Sequence, residues 1–207
     1  MKGLRHPGYP SDRQSFFGVN MKQNAAKSSS IKDLLNMIQQ GVAPEYVFFW
    51  REIPKDPGCI DESCLSNWFP AMFQLEDITY LTTEHYMMAE KAKLFSDWEI
   101  RDEIISADSP KQAKALGRRV RGFNLDLWAE HRFEIVVKGN HAKFQQNKNL
   151  GQFLLETGTK VLVEASPYDR IWGIGMSKDD HLAQNPKRWQ GLNLLGFALM
   201  EARSRLA

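Results

Sequence analysis

The hydrophobic pattern of the chain is most informative over residues 80–95, YLTTEHYMMAEKAKLF. Thr82 or Thr83 supplies an N-cap and good helix formers follow, so the spacing predicts a helix. On a helical wheel Met87, Met88, Ala92, Leu94 and Phe95 share one side, with Tyr86, Glu90 and Lys93 opposite. Glu84 and Lys91, two turns or about 10 Å apart, interrupt the apolar side. Charge on such a face is costly unless it is paired or used, which makes both residues site candidates. The plainer alternatives are that Glu84 complements the helix dipole and that Lys91 snorkels to water.

Other stretches carry their own periods. Residues 30–41, SIKDLLNMIQQG, predict a short amphipathic helix with a Ser cap and a terminal Gly. EYVFFWREI, 45–53, is dense in aromatic and β-branched residues and predicts a strand, followed by a loop. Residues 66–82 predict a loop, then a strand or hairpin leading into the central helix. Two further helices are expected around 96–110 and 109–122, the second opened by Ser109-Pro110. Arg118, Arg119 and Arg121 at its end read as complements to the macrodipole. A long helical pattern covers Leu125 to Gln146, with Gly139-Asn140 as a point of kinking or splitting. A short helix near Leu150–Glu156, an alternating strand in TKVLVEAS and an amphipathic helix over RWQGLNLLGFALMEARSRL complete the pattern. The expected fold class is α+β: one mainly helical domain with a small antiparallel or mixed sheet. Residues 1–42 read as a flexible extension with a short helix, and 43–207 as the domain.

Composition agrees with one globular domain. The 207 residues are 43% hydrophobic and 11% aromatic, enough for a substantial core. There is no apolar run of membrane-spanning length and no apolar leader at the start, so a cytoplasmic or nuclear protein is expected. Cys59 and Cys64 lack further ligands at zinc spacing and read as reduced thiols; neither a metal nor a cofactor is expected. A net charge of +2 announces no nucleic-acid binding but leaves room for a local basic patch.

A second unusual stretch is SPYDRIWGIGMSKDD, 166–180. It follows a strand end, and Gly173 and Gly175 allow backbone to approach a ligand closely. Asp169, Arg170 and Trp172 lie within four residues. The GIG triplet lacks the third glycine of a dinucleotide fingerprint.

Taken together, LSNWFP, TTEHYMMAEKA, HRFEIVVKGNHAKFQQN, LLETG, LVEASPYDRIWGIG and RWQGLNLLGFALMEAR resemble the NADAR superfamily, also called YbiA-like, over about residues 45–205. The resemblance implies a compact, metal-independent α+β domain with N-glycosidase activity on a ribose carbon bonded to an exocyclic amine. Two substrates are implied: ADP-ribosylated guanine in single-stranded DNA, or a phosphoribosylaminopyrimidine of riboflavin synthesis. A domain with only a short tail favours the first. Single-stranded DNA would call for a basic, aromatic-lined groove beside the pocket, a metabolite only for a phosphate clamp. A non-catalytic ADP-ribose-binding module is the alternative from another class.

The resemblance places the family's glutamate and lysine at Glu84 and Lys91, and its aspartate and tryptophan at Asp169 and Trp172. A lysine in an apolar site can attack an opened ribosyl carbon, and a carboxylate can do acid–base work. Lys91 is thus expected as nucleophile or electrostatic stabiliser and Glu84 as acid/base. Asp169 would hold a ribose hydroxyl or act as a second carboxylate. Trp68, Trp128 and Trp172 would stack on a base, although the apolar stripe around Trp128 argues equally for core. Arg132 or Lys143 would meet phosphate. Asn67, Tyr168 and Gly173 join the expected substrate-binding set. Oligomeric state is not legible.

Overall fold

A computed structural model describes residues 30–207; the proposed flexible stretch 1–29 lies outside the described residues. Helix α1 (Ile31–Gln39) starts at Ser30, whose hydroxyl accepts from Asp33 N–H. Strand β1 (Tyr46–Phe49) follows, then a 3₁₀ turn (Glu62–Leu65) and a hairpin of β2 (Phe73–Leu75) and β3 (Ile78–Tyr80). Then come α2 (Thr83–Leu94), α3 (Trp98–Ile105), α4 (Pro110–Gly117), α5 (Leu125–Gln146) and α6 (Lys148–Glu156). Strand β4 (Val161–Glu164), a 3₁₀ turn (Pro186–Arg188) and α7 (Leu194–Leu206) close the described chain.

The fold is α+β, with two small sheets. β1 and β4 pair in parallel from Tyr46 opposite Val161 to Phe49 opposite Glu164. β2 and β3 pair antiparallel. The expected strand at 45–53 is therefore shorter: pairing ends at Phe49, and Trp50–Ile53 leave the sheet. β4 does not alternate. Val161, Leu162 and Val163 are all fully buried, as befits a parallel strand covered on both faces.

β4 has a second neighbour on its open edge. Asn193 accepts from Glu164 N–H at 2.9 Å and donates to Leu162 O at 2.9 Å, so one side chain replaces a strand. Asn193 is fully buried with φ +52°, a left-handed conformation that Asn tolerates. That turn delays α7 to Leu194 rather than the expected start near 188. Nor is α7 amphipathic, because Leu195–Met200 are buried without interruption.

The central helix α2 departs from its wheel in the same way. Thr82 caps it by accepting from His85 N–H, and every residue from Thr83 to Ala89 is buried. Tyr86, expected on the polar side, packs against Phe73 and Tyr80. α5 crosses α2 unbroken through Gly139-Asn140. A Cβ at Gly139 would lie 2.5 Å from the Tyr86 ring, so the glycine permits contact rather than a kink. Asn140 donates to Val136 O and to Asn67 Oδ1, tying α5 to the loop before the hairpin.

Replacing Asn193 with Ala removes two buried hydrogen bonds and the left-handed tolerance together. Asn193→Ala is expected to lower unfolding stability by about 2–4 kcal/mol in urea titration. A loss within error of zero would show that β4 does not need this edge.

Candidate active site

Two parallel strands that end side by side leave a crevice at their carboxyl ends, the usual place for ligands beside parallel strands. Here β1 delivers Trp50 and Arg51 to the crevice and β4 delivers Glu164 and Ser166. α4 contributes Lys114 and, just past its end, Arg118; the loop before the hairpin contributes Ser66 and Trp68. Tyr168 and Asp169 complete a cavity of about 510 Å³.

Its floor is acidic. Glu164 is partly buried with Oε2 shut off from any partner. Burial pushes its carboxyl up to about 8, and the Asp169 charge adds to the rise. Glu84 lies just behind in the first turn of α2, 3% exposed, with Oε1 unpartnered. Burial raises it to about 7; Lys114, a hydrogen bond from the Trp68 side chain and Arg118 pull downward, and Asp169 pushes upward. Three carboxyl groups thus share one electrostatic neighbourhood, with two cations facing them. Lys114 and Arg118 form no salt bridge within 4.0 Å among the described residues, which leaves both for a ligand.

Asp169 is fixed by its own turn. Oδ1 accepts from Ile171 N–H at 2.9 Å and Trp172 N–H at 2.8 Å. Gly173 sits beneath that turn: a Cβ would lie 2.8 Å from Glu164 O and 3.0 Å from Asp169 O. The Gly173 position therefore sets the distance between β4 and the Asp169 turn. Trp172 is half-buried against the core and orients the turn through its N–H. Tyr168 is 88% exposed at the mouth, its ring 6.1 Å from Trp50.

Several expected site residues lie elsewhere. Lys91 is not brought to Glu84: its ammonium donates to Gly117 O at 2.7 Å and lies 4.3 Å over the Phe123 ring. Seven residues along a helix separate the two groups by two turns, and α4 comes in beside the second one. Lys143 cannot meet phosphate. It is fully buried and donates to Cys64 O at 2.7 Å and Ser66 O at 2.9 Å, with burial lowering it to about 7. Trp128 is core at 7% exposure. Arg132, half-buried on α5, is absent from the cavity wall. Asn67 is buried, accepting from Asn140 Nδ2 and, at its carbonyl, from Glu84 N–H, so it holds the start of α2.

Sequence reasoning passed over Glu164, Lys114 and Arg118. For Glu164 a signal exists: a carboxylate ends the apolar run VLVE immediately before Ser166-Pro167. Arg118 was visible but assigned to the dipole. Lys114 is one lysine of an ordinary surface helix, and only the fold singles it out. Among the described residues no group of three or more His, Cys, Asp or Glu is placed to hold a metal ion, and no helix is long and apolar enough to cross a membrane.

The NADAR domain model matches residues 48–207, which include β1's last two residues and every cavity residue named here. The chain belongs to the NADAR family. This NADAR chain is 43% identical over 164 residues to N-glycosidase R617 of Acanthamoeba polyphaga mimivirus, covering 77% of this chain and 95% of that one. It is 34% identical over 153 residues to the chloroplastic riboflavin biosynthesis protein PYRR of Zea mays, covering 68% of this chain and 23% of that one. The NMR structure of the E. coli protein YbiA superposes with a TM-score of 0.61 at 29% identity, covering 80% of this NADAR domain's chain and 86% of YbiA.

The raised carboxyls have a thermodynamic signature. An acid whose folded pKa lies above its unfolded value keeps its proton in the folded state only, so its stabilising effect is present at low pH and lost as pH rises through the folded pKa. Glu164→Gln is therefore expected to gain stability relative to the parent chain as pH rises from 5 to 8, by on the order of a few kcal/mol. Urea titrations of both chains across that range measure it. Using the difference cancels the opposite trends of buried His85 and Lys143, whose pKa values are lowered. A pH-independent difference would mean that Glu164 is ionised in the folded protein.

Proposed function

We propose that the protein is an N-glycosidase that hydrolyses the bond between ribose C1 and an exocyclic amine, with ADP-ribosylated guanine of single-stranded DNA as substrate. The observation that carries this is the pair of raised carboxyls, Glu164 at about 8 and Glu84 at about 7, beside the Asp169 charge and opposite two cations without salt bridges.

Cleavage needs a proton for the departing amine and a water oxygen for C1. Glu164, protonated at neutral pH, gives its proton to the exocyclic nitrogen as the C1–N bond breaks. Positive charge then develops on the ribosyl carbon and ring oxygen, and the neighbouring carboxylates stabilise it. Asp169 takes a proton from water as the water oxygen bonds to C1, which releases ADP-ribose with a hydroxyl on C1 and the free amine of guanine; that proton then returns through solvent to Glu164. Glu84 is the second proton-holding group. It accepts a hydrogen bond from the Trp68 side chain, and its charge, when it is ionised, helps to keep the proton on Glu164. Lys114 and Arg118 hold phosphate. Lys91 stays outside this chemistry and ties α2 to the end of α4.

The mouth supports nucleic acid. Trp50 and exposed Tyr168 offer flat apolar faces beside Arg51, the combination that single-stranded nucleic acid uses. The name of the mimivirus relative supports the reaction class. The Zea mays relative favours a second reading, a phosphoribosylaminopyrimidine of riboflavin synthesis, which would use the same carboxyls and phosphate clamp.

Glu164→Gln is expected to lower kcat for release of ADP-ribose from an ADP-ribosylated guanine oligonucleotide by roughly 10²–10⁴-fold, with Glu84→Gln losing less. Retained activity in a folded Glu164→Gln chain would remove the mechanism. Borohydride added during turnover is expected to trap no adduct at Lys91, which lies outside the cavity. A stable adduct at Lys91, found by peptide mass spectrometry, would restore covalent catalysis.

A further inference from the structure

The turn that fixes Asp169 has an outer side, and the proposed reaction leaves it without a role. Arg170 and Ile171 follow Asp169 directly, are exposed, and take no part in the cavity wall. Leu192 lies alongside them: its N–H donates to Arg170 O at 2.9 Å, and Leu194 N–H donates to Ile171 O at 3.2 Å. Ile171 is 42% exposed and Leu192 46%, while Tyr168, 88% exposed, joins them to the mouth. A ring, a guanidinium and two aliphatic side chains thus form a shelf that runs outward from the cavity.

The shelf is held rigidly. Gln190 N–H donates to Ile174 O at 2.9 Å and Asn193 N–H to Gly173 O at 3.1 Å, so two stretches of backbone are laced together beneath it. They approach so closely that a Cβ at Gly191 would lie 2.7 Å from Arg170 Cα, and one at Gly175 3.1 Å from Arg170 Cγ. Apolar side chains on such a backbone cannot fold away from water, and exposed apolar surface beside a binding mouth marks a place of contact. Arg170 is equally unspent. One Nη donates to Gln190 Oε1 at 3.1 Å, and no salt bridge within 4.0 Å engages the guanidinium among the described residues. A free guanidinium beside exposed aromatic and aliphatic side chains suits a phosphate and an unstacked base together.

We infer that this shelf receives the nucleotide flanking the modified guanine of a single strand. Arg170 holds its phosphate, and Tyr168, Ile171 and Leu192 carry its base. This rests on the N-glycosidase reading with nucleic acid as substrate, and it adds a length requirement. Free ADP-ribosylated guanosine reaches the same carboxyls but leaves the shelf bare.

The full chain tests this with two substrates that carry the same scissile bond and the same ADP-ribosyl group. One is an ADP-ribosylated guanine oligonucleotide. The other is ADP-ribosylated guanosine, released from it by nuclease digestion that spares the pyrophosphate. The expected kcat/KM is at least tenfold higher on the oligonucleotide. Arg170→Ala and the double variant Ile171→Ser/Leu192→Ser should each lower that ratio at least threefold through loss on the oligonucleotide, with cleavage of the nucleoside unchanged. In Arg170→Ala the log–log salt slope on the oligonucleotide should also flatten by about 0.7, the share of one phosphate contact on a single strand. Equal kcat/KM on the two substrates in the parent chain overturns the shelf and leaves the N-glycosidase reading standing. A ratio that neither variant changes does the same. Cleavage of neither substrate overturns both. Should the double variant fail to fold, Arg170→Ala decides alone through the ratio and the salt slope.

Discussion

A carboxyl group withdrawn from water at the end of a buried parallel strand is the constraint on which this molecule depends. β4 is fully buried along Val161–Val163, with α7 packed against it, β1 on one edge and the Asn193 side chain on the other. Glu164 is its last residue, so the strand's burial carries the side chain into a site where ionisation is costly. The fold tolerates this because the group can keep its proton. A proton held at neutral pH is what a departing amine needs. Structure and chemistry meet in that one group.

The rest of the site surrounds this acid with parts drawn from distant stretches. α2 brings Glu84, the turn after β4 brings Asp169, and α4 brings Lys114 and Arg118. Like charges placed together would repel, and the conflict is resolved by protonation and by the facing cations. Residues that touch none of this still fix its geometry. Lys143, Asn140 and Asn67 bind the loop of Ser66 and Trp68 to α5 and to the start of α2. A lysine buried away from solvent donates to two carbonyls instead, which turns an expected phosphate contact into a structural clamp.

Much of the fold was legible in the chain because its signals are local. Ser30, Thr82, Ser109 and Asn124 each cap the helix that the pattern predicts. Where the reading missed, a tertiary effect overrode a local one. The α2 wheel assigned Tyr86 to solvent, but a helix surrounded on every side has no polar face. α7 starts late because Asn193 turns left-handed to reach β4. The glycine at 139 looked like a break and proved to be a contact, since only the partner ring reveals its purpose. The site was half legible. Glu84 and the Asp169 turn stood out as charges or glycines in unusual places, whereas pairing Glu84 with Lys91 assumed one helix face would meet one cavity. Glu164 and Lys114 come together only through the tertiary packing that sets α4 beside the carboxyl end of β4, an arrangement no local spacing encodes.

The central claim is that Glu164 holds its proton near neutral pH, and carbon-detected NMR titration of glutamate carboxyls measures this directly. With ¹³C-labelled glutamate and Glu164→Gln to assign the resonance, the Glu164 carboxyl should titrate near 8, well above the solvent-exposed glutamates. A Glu164 resonance that titrates among them, at about 4 to 5, would contradict the account.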